Sequence, residues 1–151
     1  ITNKNNIVMY GNVGTGKTHL SIALGVEACK KGFEVRFFRT SALVNKLAEL
    51  KKAGTLSVFL RNLSKADLLI CDEWGYVPLD RIGAQLLFEV ISERYERKSV
   101  IINTNIEFSR WVNVFYDEQM TGAIIDRILH HCHLLLFPGQ SNRMRESGLN
   151  A

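Results

Sequence analysis

Short apolar runs alternate with longer segments of helical periodicity along the whole chain. Residues 7–10 form an apolar run ending at Gly11 and read as a buried strand. From Lys17 to Lys31 the positions Leu20, Ala23, Leu24 and Ala28 recur at helical spacing, and Gly32 after two lysines marks the stop. Residues 35–38 read as a second strand. Thr40 or Ser41 caps a helix with Leu43, Val44, Leu47 and Leu50 on one face, ending near Gly54. Residues 55–65 are ambiguous, with a further helix as one reading. Residues 68–71 are a third apolar strand, and Asp80 caps a long helix that turns Leu86, Leu87, Val90, Ile91 and Tyr95 inward. Residues 100–102 and 133–137 are the fourth and fifth strands, with helices predicted at 108–115 and 121–130 between them. Five short apolar strands separated by helices imply an α/β fold with a parallel sheet covered on both faces. Ligands of such sheets bind at the carboxyl ends of the strands.

Composition narrows the class. Of 151 residues, 46% are hydrophobic and 23% charged, which excludes disordered and low-complexity chains. No apolar run approaches the ~18 residues of a membrane span, and no signal peptide is visible, so no membrane contact is expected. Cys29, Cys71 and Cys132 are odd in number and lack metal-ligand spacing, which fits reduced thiols and a cytoplasmic location. A net charge of +4 leans towards nucleic acid. The chain starts at Ile1 rather than Met, and the expectation is one domain over residues 1–151, cut from a longer protein.

The first strand runs into Gly11-Asn12-Val13-Gly14-Thr15-Gly16-Lys17-Thr18, a full P-loop pattern between a predicted strand and a predicted helix. Glycines let successive N–H groups turn inward around a phosphate. The helix starting near Lys17 aims its positive end at the same anion. In this pattern Lys17 reaches the β- and γ-phosphates of a nucleotide, and the Thr18 hydroxyl ligates Mg²⁺.

The third strand ends in Asp72-Glu73. A carboxylate there suits the Walker B role of holding Mg²⁺, and Glu73 beside it suits a general base for the attacking water. The fourth strand leads into Asn103-Thr104-Asn105. Asn103 and Asn105 point the same way on an extended strand and either sense the γ-phosphate and orient the water, or form an Asn-rich turn. Arg127 reads as an arginine finger for a neighbouring subunit or as a solvated arginine paired with an acid such as Asp126, the second being favoured on residues alone. Arg143 and Arg145 are a nucleotide sensor or a basic tail. His130-His131-Cys132-His133 does not match common zinc spacings, and a helix-to-strand junction is expected to splay the side chains. Lys46, Lys51, Lys52, Arg61 and Lys65 are a stripe for a DNA backbone or a solvated face.

With these residues placed, the chain resembles the ATPase domain of the IstB-type helper proteins of bacterial insertion sequences, and more distantly the DnaC-type helicase loaders, within the AAA+ ATPases. The resemblance rests on Gly14-Thr15-Gly16-Lys17-Thr18-His19-Leu20, on Asp72-Glu73-Trp74-Gly75-Tyr76-Val77-Pro78-Leu79-Asp80, on Glu93-Arg94-Tyr95-Glu96-Arg97, and on Asp126-Arg127-Ile128-Leu129-His130-His131. It implies a five-stranded sheet in the order 5-1-4-3-2 with no C-terminal lid domain, and a missing N-terminal region. It implies ATP between neighbouring subunits of a homo-oligomer on duplex DNA, and a transposase as the partner that is recruited or stimulated. By the same match Arg127 becomes the finger, Arg143 a sensor candidate, and the first sensor falls on Asn103 or, preferred, Asn105.

Three rivals remain. A helicase loader shares the chemistry and differs in its partner. A small-molecule kinase needs an arginine-rich lid segment, which is not visible. A binding module would use ATP only as an assembly switch.

Overall fold

A computed structural model describes residues 1–148. The strands are β1 (Asn6–Gly11), β2 (Val35–Arg39), β3 (Leu68–Trp74), β4 (Ser99–Thr104) and β5 (Cys132–Phe137). They form one parallel sheet in the order β2-β3-β4-β1-β5, which is the expected 5-1-4-3-2 read from the other edge. The helices are α1 (Lys17–Lys30), α2 (Thr40–Ala53), α3 (Leu56–Lys65), α4 (Arg81–Arg94), α5 (Val112–Phe115), α6 (Glu118–Leu129) and α7 (Asn142–Glu146), with a 3₁₀ turn at Phe108–Arg110. None of the described helices is long and apolar enough to cross a membrane.

The three central strands are apolar on both faces because helices cover both. Met9, Leu68, Ile70 and Ile101 pack with Ala28 on the α1 side. Val8, Leu69, Cys71, Val100 and Ile102 pack on the other side with Leu43 and Leu47 of α2, Leu87 and Ile91 of α4, and Ile124 and Ile128 of α6. Helices α2 and α4 approach closely at Gly83, where a Cβ would come within 2.6 Å of a Val44 methyl. Any side chain there would push the helices apart.

Several expectations are refined. Residues 55–65 are helical over Leu56–Lys65. The predicted helix at 108–115 splits into the 3₁₀ turn and α5, and the last long helix starts earlier, at Glu118, because Asp117 caps it by accepting from the Met120 N–H. Helix α4 ends at Arg94, and Arg94 rather than Tyr95 takes the inward position. Its guanidinium donates to the carbonyls of Leu63 (3.2 Å), Ala66 (2.9 Å) and Ser99 (3.1 Å), tying the end of α3 to the start of β4. Burial pushes Arg94 down to about 10, so it stays charged at neutral pH. Past β5 the described chain forms one short helix, α7, and no helical lid.

Candidate functional site

The glycine-rich loop leaves β1, the strand flanked by β4 and β5, and enters α1 directly. Lys17 is 5% exposed. Its ammonium donates to the carbonyls of Gly11 and Asn12, both at 2.6 Å. Burial lowers its pKa and the Asp72 charge opposes that shift. Thr15 braces the loop by donating from its hydroxyl to the Asn12 carbonyl at 2.7 Å. Val13, Gly14, Gly16, Lys17 and Thr18 line a cleft of about 440 Å³. Gly14 has φ 78, and a Cβ there would fall 2.2 Å from the Ser141 hydroxyl. The approach is that close because the segment after β5 folds back onto the loop, with the Asn142 N–H donating to the Gly14 carbonyl at 2.9 Å.

The acidic pair owes its geometry to a bulge. In an unbroken strand Asp72 and Glu73 would point to opposite faces. Here Cys71 pairs with Ile102 and Trp74 with Thr104, so Asp72 and Glu73 together oppose Asn103. Glu73 takes φ 54, a left-handed conformation uncommon outside glycine. Trp74 therefore takes the core position Glu73 would have held, against Trp111 (5.3 Å) and Phe115 (5.7 Å). Both carboxylates then line the same cleft. Two threonines satisfy backbone carbonyls at the bulge: Thr40 donates to the Asp72 carbonyl and Thr104 to that of Trp74, each at 2.8 Å.

Asp72 is buried and well supplied with donors. The Thr18 hydroxyl lies 3.0 Å from both of its oxygens, and Asn103 Nδ2 donates to Oδ1 at 2.9 Å. Asn103 also donates to Ser21 Oγ at 2.7 Å, while its own Oδ1 is buried with no hydrogen-bond partner. Ser21 donates to the Lys17 and Thr18 carbonyls one turn back. A serine on the buried face of α1, at i+4 from Lys17, was the available sequence signal for this role. Asn103 sits behind Asp72 rather than in the cleft wall. Asn105 lies one residue past β4, exposed, because the strand ends at Thr104.

The far wall of the cleft comes from Tyr76, Asn142, Arg143 and Glu146. Burial raises the Tyr76 phenol pKa; the Asp72 and Glu73 charges add to the rise, and Arg143 opposes it. Arg143 thus faces the phosphate loop within one chain. Arg127 does not line this cleft. It donates to the Ala123 carbonyl at 3.0 Å and stacks over the Phe88 ring at 5.2 Å. Trp74 and Trp111 are fully buried and belong to the core. His130 and His131 come together instead of splaying, with ring centroids 4.1 Å apart, while His133 meets Asn5.

This geometry agrees with the similarity of the chain to known proteins. The family model described as IstB-like ATP binding protein matches residues 1–150. A Bacillus thuringiensis subsp. berliner protein named for ATP binding in insertion sequence IS232 is 41% identical over 141 residues, covering 93% of this chain and 56% of that protein. The protein so named for IS5376 in Geobacillus stearothermophilus is 40% identical over 149 residues, covering 99% and 59%. The chain thus spans 56–59% of the length of these two relatives. The crystal structure of the DnaC helicase loader superposes with a TM-score of 0.75 at 27% identity, covering 89% of this chain and 79% of that one.

Proposed function

Since the chain belongs to the IstB-like ATP-binding proteins and has the AAA+ P-loop fold, we propose that it hydrolyses ATP as the helper of a transposase, assembling with further copies of itself on duplex DNA. The observation that carries hydrolysis is the bulge that turns Glu73 into the cleft beside the Thr18–Asp72–Asn103 cluster. Loop N–H groups and Lys17 hold the β- and γ-phosphate oxygens. Thr18 and Asp72 are hard oxygen donors within 3.0 Å of each other, a set that fits Mg²⁺. Thr18 and Asp72 would hold that ion, which would supply charge neutralisation at the phosphate oxygens. Glu73 takes a proton from water, the water oxygen bonds to the γ-phosphorus, and the bond to the bridging oxygen breaks, giving ADP and phosphate. Asn103 orients Asp72, and Asn105 senses the γ-phosphate from the strand end. Arg143 reads the nucleotide from within the chain. Arg127 is away from its own cleft and serves as the finger for a second copy.

A cytoplasmic location at DNA, without membrane contact, goes with this reading. A helicase-loader role is the second reading, favoured by the 27% identity to DnaC. The 40–41% identity to insertion-sequence proteins favours the transposition helper. The test is the solution mass of Glu73→Gln with ATP and Mg²⁺, with and without duplex DNA. A large assembly that needs both ATP and DNA is expected, with no turnover. A monomer under every condition, or normal turnover by Glu73→Gln, overturns the reading.

A further inference from the structure

Away from the nucleotide cleft, at the amino ends of β4 and β5, two chain reversals meet. One follows α4 and carries Tyr95 and Glu96; the other joins α6 to β5 and carries His130 and His131. One ligand atom each from Glu96, His130 and His131 lies within 4.8 Å of the others, and all three residues are exposed. His130 Nδ1 is 3.5 Å from Glu96 Oε1 and 2.6 Å from the Tyr95 hydroxyl, a further oxygen beside the trio. Glu96 and His131 hold φ 57 and φ 89, left-handed values that non-glycine residues avoid. Such values concentrate where side-chain placement matters, as at Glu73 in the cleft. The carboxyl ends of α4 and α6 also converge here, and their dipoles favour a cation.

We propose that Glu96, His130 and His131 form a divalent transition-metal site that clamps the end of α4 to the α6–β5 junction. Two imidazoles and a carboxylate are the donor set of Zn²⁺, leaving a fourth position for water or the Tyr95 oxygen, whereas Mg²⁺ prefers oxygen donors alone. The clamp fixes the end of the helix that carries Arg127, three residues before His130. It stands independently of the nucleotide reading.

The test is a Zn²⁺ titration of the full chain against a chromogenic chelator, in a Cys29→Ser background so that the exposed thiol contributes nothing. The parent, Glu96→Gln and His131→Gly are compared. Glycine adopts the His131 backbone conformation freely, so that variant keeps its fold while losing a ligand. One Zn²⁺ per chain is expected, unaffected by excess Mg²⁺, with affinity falling by about tenfold or more in either variant. Zn²⁺ should raise the unfolding temperature of the parent and leave that of His131→Gly unmoved. No uptake by the parent, or uptake of equal affinity by His131→Gly, overturns the site and leaves Glu96 and His130 as a plain surface contact.

Discussion

Two buried hydroxyls brace the Glu73 bulge, and Thr104→Val removes one of them at nearly constant volume. Thr104 Oγ1 donates to the Trp74 carbonyl at 2.8 Å and accepts from the Ile106 N–H at 3.1 Å, and the residue is 1% exposed. The valine methyl replaces neither bond. A buried polar group left without its partner costs about 1–3 kcal/mol, so two such groups, partly relieved by local relaxation, give an expected loss of about 2–3 kcal/mol. That is a large share of the ~5–15 kcal/mol stability of a domain. Urea unfolding followed by Trp74 and Trp111 fluorescence measures it. The P-loop lies on the other side of β4, so affinity for a fluorescent ATP analogue should change by less than twofold. Turnover should fall by about tenfold or more, because a loss of just ~1.4 kcal/mol in Glu73 placement corresponds to a factor of ten. A stability change below ~0.5 kcal/mol, the range of an indifferent surface substitution, refutes the role of Thr104. Turnover that falls only in proportion to nucleotide affinity refutes the link from bulge to base.

Three further outcomes follow from the site and the core. Lys17→Ala should abolish ATP binding and Arg127→Ala should bind ATP without turnover; mixing them should restore part of the activity, since each supplies what the other lacks, and an inactive mixture refutes a finger acting in trans. Burial pushes the Cys71 thiol up to about 12, from an ordinary 9.0. The folded chain then holds that proton more tightly than the unfolded one, so its contribution is full below pH 9 and is lost as pH rises towards 12, at up to about 1.4 kcal/mol per pH unit. A thiol reagent at pH 8 should label exposed Cys29 quickly and Cys71 only on unfolding; rapid labelling of Cys71 in the native chain refutes its burial.

What was legible in the sequence was local. The phosphate loop is contiguous, and each residue type is dictated by the anion it surrounds, so its identity and placement were readable together. The three central strands were readable because strands inside a parallel sheet are apolar on both faces. Tyr95 was expected inward where Arg94 is found, because a charged residue at a helix end is normally solvated, and only the fold brings three carbonyls to the Arg94 guanidinium. The histidines were misread for a similar reason: adjacent side chains diverge in regular structure, but His131 leaves regular structure at φ 89. Asn103 and Asn105 were equivalent by alternation. They separate because β4 stops at Thr104, leaving Asn103 alone in the sheet beside Asp72.

Asp72 and Glu73 show the same limit at the centre of the chemistry. The string Asp72-Glu73-Trp74-Gly75 also satisfies the Asp-x-x-Gly spacing of small GTPases, so residue types at this strand end do not by themselves separate the two classes. The register does. Two residues of β3 against one of β4 let neighbouring carboxylates share a cleft, and the backbone left over is satisfied by Thr40 and Thr104 from α2 and β4. Their environments then diverge. Asp72 is buried under the Thr18 hydroxyl and the Asn103 amide, which hold its carboxylate in one orientation. Glu73 is only half-buried and reaches the same cleft on a strained backbone, a position suited to meeting water. The proposed division into a ligand and a base therefore rests on one inserted residue in a strand pairing. It should survive any substitution that keeps that register and fail with any that restores regular alternation.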